Sequence, residues 1–359
     1  MATLRPTETA LLAARLRSQL LSGRPASGPV EVAERLLAIQ AQDPRGARLA
    51  IRARSSGLTA ASVERALSVD RTLVIGWLCR GTLHLVRRED YPWLHALTKP
   101  PNAGVRLRRL AQLGVPPADA ERAVRTIERS IADGGPLTRR QLRSALERVG
   151  VPDDGHAIVH LLGLASDRGL IVRGPLAGSD HAYVLVHDWL GEVPPFERDV
   201  ALAELARRYL AGHAPAGDRD LAKWSGLPLR DARRGLTAIA SELHERADGL
   251  LETRRGGRAP ALPPPRLLGP FDPVLHGWIS RELIVGEALG IVTVNGIFRA
   301  IALVGGRAVA TWELRGGRIQ LAPFGELAPA DAAALEADSQ DVLRFLARGG
   351  GAPRTPGAR

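Results

Sequence analysis

Leu73-Val74-Ile75-Gly76-Trp77-Leu78-Cys79-Arg80, then Gly81, then Thr82-Leu83-His84-Leu85-Val86, places two β-prone runs on either side of a glycine. Such a pair reads as a hairpin. Upstream the pattern is helical: residues 7–21, with Thr7 or Thr9 as cap, a second helix starting at Pro29, and a third over residues 59–67. Helices followed by a hairpin are the order of a winged helix.

The second of those helices leads into Leu36-Leu37-Ala38-Ile39-Gln40-Ala41-Gln42-Asp43-Pro44. Val32, Leu36, Leu37 and Ile39 recur at near-helical spacing, with Glu31, Glu34 and Arg35 on the other face. Pro44 disfavours helical geometry at Asp43. The two glutamines therefore fall in the last turn or just past it, where two neutral amides and a carboxylate leave an apolar face together.

Helix, turn, helix and hairpin return downstream. Residues 136–149 and 156–168 read as helices, strands follow at 170–172 and 183–186, and the Gly/Pro loop 174–180 is the expected wing. A weaker third copy has helices over 200–211 and 228–243 and a strand over 250–255. The copies share pattern more than sequence. Residues 259–266 form a proline-rich linker. Beyond it, β runs at 291–294, 297–304, 308–314 and 319–322 alternate with Asn295-Gly296, Gly305-Gly306 and Gly316-Gly317, which are strong hairpin turns. The expected fold class is α+β: winged-helix units at 1–100, 101–195 and 196–258, then a β-rich domain at 267–348. That domain is an antiparallel meander or partial barrel, closed by a helix over 328–347, and a disordered tail follows at 349–359.

A net charge of +11 on 359 residues favours a polyanionic partner, nucleic acid first. A GC-rich genome explains arginine replacing lysine, but it does not explain 49 basic residues against 38 acidic ones. Cys79 is the only cysteine, which excludes an intramolecular disulfide and a cysteine-based zinc site. Arg5, Glu8, Arg15 and Arg17 interrupt every apolar run near the start, and no stretch approaches a membrane span, so a cytoplasmic, nucleoid-associated protein is expected.

Together these motifs resemble the AlkZ-like DNA glycosylases, also described as winged-helix DNA-binding-domain proteins. The resemblance rests on the Gln40 stretch, Arg71-Thr72-Leu73-Val74, Arg80-Gly81-Thr82-Leu83-His84-Leu85-Val86 and Tyr183-Val184-Leu185. It continues through Arg207-Arg208-Tyr209-Leu210, Trp224-Ser225-Gly226-Leu227-Pro228 and Pro270-Phe271-Asp272-Pro273 to Trp312, covering about residues 8–325. It implies a C-shaped stack of three winged-helix units and hydrolysis of the N-glycosidic bond of N7-alkylguanine in double-stranded DNA, bulky or crosslinked adducts included. Gln40 and Gln42 match the family's Gln-x-Gln branch, which is associated with self-resistance to DNA-alkylating natural products.

The chemistry is coherent on its own terms. N7-alkylguanine is already cationic and leaves without a strong general acid, so neutral amides that orient a water suffice. Gln40 and Gln42 are the expected catalytic pair, and Asp43 is the second partner for the water. The competing reading is that the glutamines cap a helix end or are solvated. Lys99 and Lys223, the only lysines, lie outside these motifs, so a monofunctional enzyme without lyase chemistry is expected. No cofactor or obligate protein partner is implied, and a monomer is expected. Trp77, Arg80, Thr82 and His84 either contact DNA or pack the hairpin. Arg106, Arg108, Arg109, Arg254 and Arg255 either touch phosphates or form a solvated face. Asp272 and Arg281 are DNA-site residues by resemblance, or an Asp–Arg scaffold pair. His156 and His160 have metal-ligand spacing but no third ligand, which favours a structural role. The alternatives to a glycosylase are a non-catalytic winged-helix DNA binder, acting as regulator or adduct-binding protein, and a small-molecule binder that fits the charge poorly.

Overall fold

The computed structural model describes residues 4–99, 104–152, 155–177, 180–192, 196–254, 261–286, 290–293 and 295–347. The chain is a mixed α+β protein that divides into two compact units interleaved along the sequence. One comprises residues 1–65, 208–220 and 241–359, and the other residues 66–207 and 221–240.

The first unit holds the Gln40 stretch. Its opening helix is Pro6–Ser18, capped by Arg5 and Glu8 and not by Thr7 or Thr9: the Arg5 N–H donates to Glu8 Oε2 at 2.9 Å. The N3 carboxylate reaches back to the N-cap N–H, whereas a threonine cap would accept the N–H of the second or third helical residue. Pro29–Leu36 follows with Pro29 at its first position, as expected. Pro44–Arg52 is a helix that the sequence reading missed, with Asp43 as its N-cap. Asp-Pro is a stop signal for the helix before it and equally a start signal for the next.

Later in the unit's sequence an antiparallel sheet runs in the order Arg318–Pro323, Arg307–Arg315, Ile301–Val304, Arg266–Leu268. Gly305-Gly306 and Gly316-Gly317 make its tight turns, all four with positive φ. The sheet stays open and is not a partial barrel, since its outer strand Arg318–Pro323 is largely solvated and pairs on one side only. The Pro329–Leu346 helix covers it, burying Leu335, Val342 and Phe345. The expected run at 291–294 reduces to a bridge between Val292 and Phe298, and Val294 lies outside the described residues. Within the linker the described residues 261–265 are irregular, and Arg266 already belongs to the sheet. The tail lies outside the described residues.

The second unit is built on strands in the order Leu83–Arg87, Leu73–Trp77, Ile171–Ala177, Asp180–Leu185, Leu137–Thr138. The expected hairpin pairs Val74 with Val86 and Gly76 with His84. Helices Pro117–Gly134, Arg139–Glu147 and Gly155–Asp167 pack Ile127, Leu142 and Leu161 against Leu185 and Tyr183. Thr138 and Gln141 form the capping box that starts the second of them. The expected wing at 174–180 is mostly strand, because the chain stays extended to Ala177 past a bulge after Arg173; residues 178 and 179 lie outside the described set. The helix expected over 228–243 is only Leu229–Ala238. Ile239 leaves helical geometry at φ −111° with its side chain buried, and the chain goes on to the short strand Leu243–Glu245.

Candidate active site

The glutamines sit just past the helix, on an extended step. Leu37 takes φ +62°, ψ −51°, and the Ala38 N–H donates to the Leu36 carbonyl at 2.7 Å. This is a γ-turn of the rare positive-φ form, strained for a branched side chain. Complete burial of Leu37 and Leu36 holds it there. The helix end is also pinned from outside: Arg208 Nη2 donates to the Glu34 carbonyl at 2.8 Å. A β-carbon on Gly212 would stand 2.4 Å from the Arg35 carbonyl oxygen, so glycine is needed for that close approach.

Beyond the turn the backbone is extended over Ile39–Gln40. Gln40 is buried, Gln42 is exposed, and Gln40 Nε2 donates to Gln42 Oε1 at 2.7 Å. The inner amide thus fixes the outer one. Asp43, half-buried, accepts the Gly46 N–H on Oδ1 at 2.7 Å and caps the Pro44–Arg52 helix.

That helix is anchored by arginines that the sequence reading passed over. Arg52 pairs with Asp338 and Asp341, and Arg48 with Glu64. Arg54 is completely buried against Asp272, with guanidinium–carboxylate distances of 2.8 and 2.7 Å. Its Nε donates to the Gln19 carbonyl at 2.8 Å, while Asp272 Oδ1 also accepts the Val274 N–H at 3.0 Å. The available signal is Arg48 and Arg52 standing in the otherwise apolar run 47–53, with Arg54 directly after it. Asp272 therefore belongs to the scaffold: a carboxylate with no exposure and both oxygens engaged does not reach DNA. Its partner is Arg54 and not Arg281, which donates from Nε to the Leu275 carbonyl at 2.6 Å and lies over Phe298.

In the second unit the hairpin residues divide. Trp77 packs on the core with Arg173 Cζ 5.6 Å from its ring. Thr82 Oγ1 donates to the Cys79 carbonyl at 3.1 Å, and Arg80, exposed at φ +60°, donates to the Trp224 carbonyl. His84 is 2% exposed, so its DNA-contact reading gives way to packing. Arg106 is likewise corrected: it pairs with Asp167 and lies on Gly163, whereas Arg108 and Arg109 are exposed on the same Gly104–Gln112 helix. In the first unit Arg254 is exposed and donates to the Leu243 carbonyl at 3.0 Å. Arg255 lies outside the described residues.

Set beside known proteins, the chain matches the family described as DNA glycosylase AlkZ-like over residues 33–345. It belongs to the AlkZ-like family. A Streptomyces sahachiroi protein named interstrand DNA cross-link repair glycosylase is 27% identical over 366 residues, covering 92% of this chain and 94% of that protein. The solved structure of Streptomyces sahachiroi DNA glycosylase AlkZ aligns with a TM-score of 0.74 at 25% identity, over 94% of this chain and 96% of that one.

The AlkZ-like match spans both the glutamine stretch and Asp272. Among the described residues no group of histidine, cysteine or acidic side chains could hold a metal, and no helix is long and apolar enough to cross a membrane.

His84 supplies a pH handle on this AlkZ-like chain. Burial, with Arg80 nearby adding to it, holds the imidazole pKa down at about 3 from the ordinary 6.5. Its Nδ1–H donates to the Thr82 carbonyl at 3.0 Å, which fixes the neutral tautomer. The unfolded chain binds the proton first, so the stability this site provides is complete above pH 6.5 and is lost as pH falls toward 3. The full loss is on the order of 5 kcal/mol. Buried His95 is shifted in the same direction, chiefly by desolvation. Urea unfolding at a series of pH values is expected to show this decline, and His84→Asn to flatten it. An unchanged slope in the variant would assign the acid sensitivity elsewhere.

Proposed function

We propose that this chain is a monofunctional DNA glycosylase that hydrolyses the N-glycosidic bond of N7-alkylguanine in duplex DNA, bulky and crosslinked adducts included. Membership of the AlkZ-like family and the printed name of the cross-link repair relative support the reaction class. The observation that carries the site is the Gln40–Gln42 hydrogen bond on a strained, buried turn. The net charge of +11 suits a duplex. We take the protein to act as a cytoplasmic monomer in repair or self-resistance, with its sequence divided into the tandem winged-helix units expected above.

In this reading Gln40 is a positioning residue and Gln42 is the group that meets water. The Gln42 carbonyl has two lone pairs; one receives the Gln40 amide, and the other is left to accept a hydrogen bond from water. The C1′–N9 bond breaks with its electron pair going to the purine, which cancels the charge of the alkylated ring. The water oxygen then bonds to C1′. The amide only orients that water, so its proton passes to Asp43 Oδ2 or to solvent.

The test uses an end-labelled duplex with a single N7-methylguanine. Base release is expected, with strand breakage only after alkali. Breakage without alkali would overturn the monofunctional assignment, and no release would leave a DNA-binding protein without this chemistry.

A further inference from the structure

The motif Pro270-Phe271-Asp272-Pro273 contains one residue that neither the scaffold nor the proposed mechanism accounts for. Phe271 adopts φ +58°. This region disfavours bulky residues and calls for surroundings that hold them there. On one side Pro270 is clamped to the helix that Asp43 caps, since a β-carbon on Gly46 would stand 2.3 Å from the Pro270 oxygen. On the other side Asp272 is locked into the buried pair with Arg54. The strained residue between these anchors keeps its ring half-exposed.

That ring belongs to an aromatic set. Phe271 and His276 are nearly parallel, 5° apart in plane with centroids separated by 6.2 Å. Phe298 lies 5.8 Å from Phe271 and 4.1 Å from His276. Arg281 stacks on Phe298 at 5.0 Å, which ties down the far end of the set. Exposed Val292 bridges to Phe298, and Ile297 beside it is 51% exposed, so the surface around the rings stays apolar.

We infer that Phe271, backed by His276 and Phe298, is a stacking platform for the flat face of the alkylated guanine whose bond the Gln40–Gln42 pair attacks. The inference rests on the glycosylase reading and adds the group that holds the base. The contact chain from Asp43 through Gly46 to Pro270 ties the Phe271 segment to the start of the helix that follows the glutamines. An aromatic face binds any base by stacking, and a cationic ring gains further from the π cloud. N7-alkylguanine in DNA is such a ring, whereas the neutral base that leaves is held less strongly. An open, one-sided platform also tolerates a bulky N7 substituent that an enclosing pocket would reject.

The experiment measures binding and single-turnover base release with matched duplexes, one carrying N7-methylguanine and one unmodified. Phe271→Asn removes the ring but accepts a positive φ. It is expected to raise the enzyme concentration giving half-maximal rate on the lesion duplex about 5- to 100-fold, with affinity for the unmodified duplex and the unfolding midpoint unchanged. Phe271→Trp is expected to keep or improve lesion affinity, and it carries the test if the asparagine variant does not fold. Equal loss on both duplexes, or no loss on either, would overturn the platform. Gln42→Ala is run alongside. If the wild type releases no base, the glycosylase reading fails, and lesion-against-unmodified affinity still decides the platform on its own.

Discussion

Gln42→Ala is expected to slow release of N7-methylguanine about 100-fold, the scale on which a misplaced reactant loses rate. Gln40→Ala should lose nearly as much although Gln40 is buried. Its amide donates to Gln42 Oε1 at 2.7 Å, so removing it frees the exposed amide to rotate. The double variant should be no slower than the worse single one, because two residues that act as a unit lose their effect together. The measurement is single-turnover release under saturating enzyme, with duplex affinity checked for each protein. Additive losses in the double variant would mean that the glutamines act separately. Full activity in both singles would move the chemistry to another group, with Asp43 next.

The largest stability effect is expected at Asp272. Asp272→Ala leaves the Arg54 guanidinium buried with no counter-charge, and a broken buried pair costs about 3–5 kcal/mol. Arg54 would keep only its hydrogen bonds to Ala50, Gln19 O and Gln19 Oε1, which are neutral acceptors. Replacing both partners, as in Arg54→Met with Asp272→Leu, should cost much less, since no charge then remains in the interior. Urea unfolding of Arg54→Met, Asp272→Leu and their double closes the cycle, with Asp272→Ala measured beside it. A double variant as unstable as Asp272→Ala would show that the hydrogen bonds to Gln19 and Val274, and not the charge pair, hold this region.

Local signals in the chain proved readable where the physics is local. Pro29 starts a helix, Thr138 and Gln141 make a capping box, and paired glycines turn the C-terminal strands. The placement of Gln40 and Gln42 just past a helix also followed from Pro44 and the apolar spacing. Asp43-Pro44 shows the ambiguity of such signals, because the residues that end one helix begin the next. Nothing in the sequence shows which glutamine is buried, since that depends on Leu37 entering a positive-φ turn that only its packing stabilises. Arg54 and Asp272 stand 218 positions apart, so their pairing is invisible to any window along the chain. The same distance leaves the two readings of Asp272, DNA site or Asp–Arg scaffold pair, undecided in the sequence, because an acidic residue in a conspicuous motif gives no sign of its burial.

The interleaving of the two units has a consequence for biosynthesis. The unit built on residues 66–207 lacks only 221–240 when that part of the chain has emerged from the ribosome, and it can condense early. The Gln40 stretch is made first but waits longest. The helix it precedes is anchored by Arg54 to Asp272 and by Arg52 to Asp338 and Asp341, and the latter pair lie in the last described helix. Until those carboxylates exist, the N-terminal segment carries unpaired arginines and an apolar face with no core to join. Before residues 338 and 341 have been made, the helix that follows Gln40 and Gln42 lacks the pairs that anchor it, so a chain stopped before them holds this stretch without its full support.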